Sequence, residues 1–249
     1  VGWIDSLATG KSLGRGDVHR ANYLSAGDDP QPAQTLRPKN QHLGPNLFGF
    51  VPRSIVWLFM RPMFSNWGVQ FVNQGKYLAG GLGGVKKYRQ PHVQFHFLLD
   101  YVPDWKKAYG PGGLIQYQPF IPKETAFDAF SDILTLCKRR GLPNYLTVLK
   151  RHRPDEFLMS YAVDGFSLAM DFRVTGENRQ RLVWLTQELD EIVLQAGGRF
   201  YLAKDSTLRP KIAQAYLGQE RIDRFKALKA RCDPAGMLET DMWRRIFSS

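Results

Sequence analysis

Two stretches of the chain carry an apolar period of about 3.6 residues, the spacing that puts side chains on one face of an α-helix. In the first, Phe127, Phe130, Ile133, Leu134 and Cys137 share a face. That helix is expected to begin near Thr125, with Asp128 three residues on in a capping-box-like arrangement. Arg139 and Arg140 suit the negative end of the helix dipole, and Gly141 is placed to stop it. In the second, Leu182, Leu185, Leu189, Ile192 and Val193 share a face, and Gly197-Gly198 ends the run. Short strand-like segments flank these helices: 115–121, 145–150 and 166–172, with 199–204 returning as a strand or extended loop. The order strand, helix, strand, strand, helix, strand predicts an α+β fold on the split βαβ, ferredoxin-like plan. Helices would cover one face of an antiparallel sheet, leaving the other free to border a ligand.

The remainder is patterned less regularly. Residues 1–24 read as strand, turn, strand, with Trp3, Ile4 and Leu7 apolar and Gly14-Arg15-Gly16 turning. Residues 25–46 are rich in Pro, Gly, Asp, Gln and Asn and read as a long surface loop. Residues 47–79 are the most apolar stretch, including Leu47, Phe48, Phe50, Leu58 and Phe59, with Arg53 and Arg61 among them. Either these side chains pack as helices on a core, or they form an interfacial patch with Trp57, Phe64 and Trp67 at lipid depth. The uninterrupted apolar runs are too short to span a bilayer. Gly80-Gly81-Leu82-Gly83-Gly84 reads as a hinge rather than a phosphate loop, because the alternating Val93-Gln94-Phe95-His96-Phe97 beyond it looks like a strand, not a helix start. That strand and the first two are candidates to extend the sheet. After Lys204 come short helices, roughly 208–217 and 219–230, with few apolar residues. This tail is expected to need something larger to pack on.

Composition changes the picture only modestly. A hydrophobic fraction of 43% suits a folded domain that buries its own core without disulfides. Cys137 sits on the buried helical face and Cys232 lies far from it, so a bridge is not suggested. The net charge of +11 favours anionic partners. There is no compact Lys/Arg block and no nucleic-acid-binding signature. His19, His42, His92, His96 and His152 lack metal-ligand spacing, and no nucleophile elbow, Walker loop or paired-Cys motif occurs. A hydrolase or NTPase is disfavoured, and no metal is expected.

Several ordered motifs resemble one family. They are Trp3-Ile4-Asp5-Ser6-Leu7-Ala8 with Gly14-Arg15-Gly16; Tyr109-Gly110-Pro111-Gly112-Gly113-Leu114-Ile115-Gln116-Tyr117-Gln118; Leu146-Thr147-Val148-Leu149-Lys150; Gly197 through Ser206; and Asp233-Pro234 with Asp241 and Arg244-Arg245. No single motif is decisive, but their order and spacing resemble the decaprenylphosphoryl-β-D-ribose 2′-oxidase family of FAD-linked oxidases, within the vanillyl-alcohol-oxidase superfamily. The resemblance covers most of the chain and is weakest over 25–90. It implies a substrate-binding cap over 1–198, with an insertion at about 25–90, and a segment over 199–249 that returns to complete an FAD-binding domain. It further implies that the missing amino-terminal FAD-binding domain of the same protein is the partner, that most FAD contacts lie outside these residues, and that they are inactive alone. The activity implied is oxidation of a secondary alcohol on a sugar or polyprenyl-phosphate-linked sugar by hydride transfer to flavin, in cell-wall biosynthesis. A cytoplasmic or inner-membrane-peripheral setting would go with it.

By the same resemblance Lys204 is the catalytic candidate at the junction of flavin and substrate, where an ammonium stabilises developing negative charge. Read without the family, it is a salt bridge to Asp205. Tyr201, Ala203 and Lys204 are implied to border the flavin; Tyr201 could equally be core. Gln116 and Gln118 alternate with Tyr117, so they share one sheet face. Two amides there either hydrogen-bond sugar hydroxyls or face solvent. Lys150 ends its strand, as a phosphate contact or a surface lysine. Ser167 alternates with Ala169 and Asp171 and is a candidate pocket-lining residue. The competing reading is a non-enzymatic basic α+β module that binds anionic membrane or nucleic acid, drawn from the charge and the 47–67 patch.

Overall fold

The computed structural model describes residues 1–47, 49–82, 84–97 and 101–248. In chain order the strands are β1 (Gly2–Ile4), β2 (Gly16–Val18), β3 (Asn46–Leu47), β4 (Val51–Pro52), β5 (Leu114–Tyr117), β6 (Pro119–Pro122), β7 (Leu146–His152), β8 (Gly165–Arg173) and β9 (Arg199–Phe200). The α-helices are α1 (Pro32–Thr35), α2 (Val56–Met60), α3 (Asn66–Leu82), α4 (His92–His96), α5 (Ala126–Arg139), α6 (Arg179–Gln195), α7 (Pro210–Leu217), α8 (Gln219–Cys232) and α9 (Asp241–Ile246). The chain divides into two compact units, one formed by Val1–Gly16 with Leu114–Ser249 and the other by Asp17–Gly113.

The first unit is built on an antiparallel sheet of strand order β1-β7-β8-β6-β9, with β5 also paired to β8. The expected strand over 115–121 is divided at Gln118. Its register against β8 runs through the break, from Tyr117 opposite Met170 to Phe120 opposite Ser167. Pro119 has no N–H to give the ladder, which accounts for the interruption. Helices α5 and α6 pack on each other, and both rest on β6. The pleat sends alternate side chains to opposite faces. On the helix-covered face Tyr117, Ile121, Leu168, Met170 and Phe172 meet Ile133, Leu134, Leu182, Leu185, Leu189 and Val193.

Both helices stop where expected, at Gly141 (φ 64°) and Gly197 (φ 70°), in the left-handed conformation that glycine adopts without a Cβ penalty. Two details differ from expectation. The Thr125 side chain does not cap α5. Its hydroxyl instead donates to the Ala196 carbonyl at 2.8 Å, tying the start of α5 to the end of α6. Phe127 is exposed, and Ala126, Ala129 and Leu136 take buried positions on α5 that the aromatic spacing did not indicate. Cys137 is buried, with its thiol pushed up to about 12 by desolvation, whereas Cys232 is exposed.

The tail finds its support within the same unit. Phe200, Leu208, Ile212, Leu217, Ile222, Ile246 and Phe247 all join the core, and α7 packs on α6. The amino-terminal motif is a clamped turn. Asp5 accepts from the Arg15 guanidinium at 2.9 Å and from the Leu7 N–H, and the Asp5 N–H donates to the Arg15 carbonyl.

The second unit departs most from expectation. Residues 92–96 form a helix, not a strand, so they add nothing to the sheet. Gly80, Gly81 and Leu82 continue α3 rather than forming a hinge; Gly83, Phe48 and residues 98–100 lie outside the described residues. The period-2 alternation at 93–97 covers only one helical turn, too short a window to separate the two periods. Tyr109, Phe64, Val69 and Asn73 are buried, with the Phe64 and Tyr109 rings 4.4 Å apart. Within the 47–79 stretch Phe64 and Val69 are packed away from solvent, whereas Phe50, Leu58, Phe59, Trp67 and Phe71 are exposed. No helix among the described residues is long and apolar enough to cross a membrane.

Leu189 on α6 is wholly buried in the helix–sheet core. Leu189→Ala is expected to lower unfolding stability by about 2–5 kcal/mol, the range for a large-to-small change in a close-packed core. Urea unfolding of both proteins with an unchanged m-value checks this.

Candidate functional site

The sheet face opposite α5 and α6 carries the polar candidates because the pleat leaves them nowhere else to go. Lys150 stands directly opposite Ser167, Val148 opposite Ala169, and Gln116 opposite Asp171. Gln118 falls in the strand break, and its amide Nε2 donates to Ser167 Oγ at 3.1 Å. Gln118, Ser167, Ala169 and Asp171 are all buried, so this face is not bare. Phe120 packs at 4.6 Å from both the Tyr161 and His152 rings, and Tyr161 packs at 4.6 Å from Tyr201. Tyr161 comes from the β7–β8 connection, which lays aromatic surface over one end of the face. Burial, then the influence of Tyr201, pushes its phenol above the usual range.

After β9 the chain turns along the edge beside β5. Residues Leu202–Lys204 make one short 3₁₀ turn, and the Asp205 carboxylate anchors the residues after it. Its Oδ1 accepts from the N–H groups of Thr207 and Leu208, and its Oδ2 accepts from the Arg245 guanidinium at 2.6 Å. Arg245 also donates to the Leu208 carbonyl. Asp205 is thus engaged by Arg245 and by backbone, and the Arg244-Arg245 motif acquires a structural role at its second residue.

The result is a small open pocket lined by Gln116, Tyr117, Gln118, Asp190, Phe200, Tyr201, Lys204, Asp205, Thr207 and Leu208. Lys204 Nζ lies 5.8 Å from the centre of the Tyr201 ring, within cation–π range. Gln116, Gln118, Tyr201 and Lys204, drawn from two distant stretches of the chain, therefore meet at one place. Lys150 and Ser167 sit farther along the same sheet face, and Ala203 is exposed beside the pocket without lining it. Gln118 Oε1 is buried with no hydrogen-bond partner among the described residues.

Three groups were not anticipated. The Tyr117 hydroxyl donates to Asp190 Oδ1 at 3.0 Å beneath the pocket, and Arg209 approaches Asp190 Oδ2 at 3.7 Å. Desolvation raises the Asp190 carboxyl to about 7, against the opposing pull of Tyr117 and Arg209. Asp190 comes directly after Leu189 on α6, and no apolar period marks it. His152 Nε2 is 2.8 Å from Ser167 Oγ. Burial, then Lys150 and Arg151, lower its imidazole to about 4. His152 lies two residues after Lys150, so strand alternation carried a signal for it. Tyr161 had none. Among the described residues no cluster of His, Cys, Asp or Glu could hold a metal ion.

The chain is similar to decaprenylphosphoryl-β-D-ribose oxidase of Mycolicibacterium smegmatis, with 27% identity over 245 residues, covering 98% of this chain and 50% of that protein. A Streptomyces coelicolor protein described as an uncharacterized protein in the mprA 5′ region is 40% identical over 82 residues, covering 33% of this chain and 20% of its own length. The chain thus spans about half the length of the first relative. No protein-family model matches it.

The Asp190 carboxyl is raised in the fold, so between about pH 4 and 7 the folded state holds a proton that the unfolded state has released. Stability from this group is therefore present at low pH and lost as pH rises through that window. Unfolding free energies measured from about pH 4 to 8 should fall less steeply in Asp190→Asn than in the parent protein.

Proposed function

We propose that these residues form the substrate-binding part of an FAD-linked oxidoreductase that oxidises a secondary alcohol on a sugar carried by a polyprenyl phosphate. The observation that carries this reading is the convergence of Lys204, Tyr201, Gln116 and Gln118 on one pocket. Similarity along 98% of the chain to an oxidase of that kind supports it. On this reading residues 1–198 act as a ferredoxin-like cap with the Asp17–Gly113 region inserted, and 199–249 return toward the flavin-binding part. The strand order β7-β8-β6-β9 with α5 and α6 on one face supports the cap assignment. Most flavin contacts would come from polypeptide other than these residues, since the relative is about twice as long.

The donor set suits a flavin edge. An aromatic ring, an ammonium group and two amides offer a stacking surface, a positive charge and hydrogen bonds, and Gln118 Oε1 is a buried acceptor awaiting a donor. When bound, the flavin supplies the hydride acceptor. Lys204 would hold the alcohol oxygen and stabilise negative charge on it as the hydroxyl proton passes to a base or to solvent. Gln116 and Gln118 would orient the ring hydroxyls. Lys150, opposite Ser167, would hold the phosphate. Tyr201 and Ala203 would border the flavin, with Tyr201 excluding water.

A second reading concerns the Asp17–Gly113 unit. Trp67 and Phe71 on α3 and Phe59 on α2 are exposed aromatic side chains on a chain of net charge +11. That combination favours a peripheral contact with an anionic membrane over the nucleic-acid alternative.

The full-length protein is expected to purify yellow, and its flavin to bleach anaerobically on addition of a polyprenylphosphoryl pentose. Lys204→Ala should slow bleaching by about 10²–10³-fold, the usual loss when one preorganised charge-stabilising group is removed. A full-length protein that carries no flavin and gains none from added FAD would end this proposal. Co-sedimentation with phosphatidylglycerol vesicles should weaken in the double variant Trp67→Ser, Phe71→Ser. Unchanged sedimentation would remove the membrane reading.

A further inference from the structure

On the open sheet face a hydrogen-bonded row runs from Gln118 through Ser167 to His152. Gln118 Nε2 is 3.1 Å from Ser167 Oγ, and Ser167 Oγ is 2.8 Å from His152 Nε2. Ser167 is wholly buried, so its hydroxyl has no water to turn to. We infer that His152 is a positioning residue that, acting through Ser167, makes Gln118 present its carbonyl oxygen to the ligand and so selects a hydroxyl donor there.

The argument is a proton count. A serine hydroxyl carries one proton. With Gln118 Nε2 donating to Ser167, the Ser167 proton is available to His152 Nε2, which accepts it only on a neutral ring protonated at Nδ1. The surroundings favour the neutral ring. It is half-buried and packs 4.6 Å from Phe120. Its charged neighbours on β7 are the cations Lys150 and Arg151, and Arg151 is paired with Asp164 at the start of β8. From the covering connection the Tyr161 ring also packs on Phe120, at 4.6 Å. A neutral, accepting His152 therefore draws the hydroxyl proton away from Gln118. Gln118 Oε1 is then left buried without a hydrogen-bond partner among the described residues, on a residue only 7% exposed. The reverse amide orientation would need Ser167 to donate to Oε1 and His152 to donate from Nε2, which is the other tautomer.

This inference rests on the reading that this face receives the sugar, and its primary test does not. Nitrogen-15 spectra of histidine-labelled protein at about pH 6–7 report the tautomer directly, with the His152 signals assigned by their loss in His152→Gln. A neutral ring with its proton on Nδ1 is expected; a ring protonated at Nε2, or doubly protonated, would overturn the inference. The second test uses the full-length enzyme with farnesylphosphoryl-β-D-ribose as probe. His152→Phe keeps the ring against Phe120 but deletes the acceptor, and should raise KM about tenfold with little change in kcat, as expected for lost ground-state binding. His152→Gln returns an acceptor near the Nε2 position and should restore most of the affinity. Equal effects of Phe and Gln, or none from Phe, would overturn the positioning role. An absence of turnover in the parent enzyme would instead count against the oxidase reading, with the tautomer still deciding this inference.

Discussion

Everything in the first unit depends on the pleat of β8. One set of its side chains, Leu168, Met170 and Phe172, is committed to the core beneath α5 and α6. The other set, Ser167, Ala169 and Asp171, must then face the opposite way. A one-residue slip would exchange the two sets and place a serine and an aspartate under the helices. The hydrophobic demand of α5 and α6 therefore fixes the register. The register in turn lines up Lys150 with Ser167 and Gln116 with Asp171.

A second constraint brings Lys204 to that sheet. The chain leaving β9 has no long ladder to hold it, since β9 is only two residues long. Asp205 supplies the fixed point instead, held by two backbone N–H groups and by Arg245 from α9. A carboxylate engaged by several donors is a rigid anchor. It sets the path of residues 201–208 along the edge beside β5, and the pocket is the space between that path and the edge. The carboxy-terminal helices thus shape the site without lining it.

The polar groups at this site obey one economy. Most buried donors and acceptors are paired, because an unpaired one forfeits its hydration with nothing in return. Tyr117 pairs with Asp190, Asn144 with Thr147, and Gln118 with Ser167 and through it with His152. Among the described residues Asn144 Oδ1, Asp190 Oδ2 and Arg209 Nε have no hydrogen-bond partner, and neither has Gln118 Oε1. On the proposed reading, it is the acceptor that a bound ligand would satisfy.

The helices α5 and α6, the strands between them and the alternation of Gln116 with Gln118 were legible in the sequence. Each is a local pattern whose period reports which face is buried. Their glycine stops were legible for the same reason, a backbone requirement met by one residue type. The helix at 92–96 was not, because one turn is too short a window to separate the two periods; the choice between burial and exposure for the apolar residues between 47 and 79, and the diversion of Thr125 from capping, were not, because each depends on neighbours distant in the chain. Nor were the partnership of Asp205 with Arg245 and the row from Gln118 to His152. Periodicity determines which way a side chain points. Only the tertiary fold decides what waits there to meet it, since hydrogen bonds across many tens of residues leave no period in the sequence.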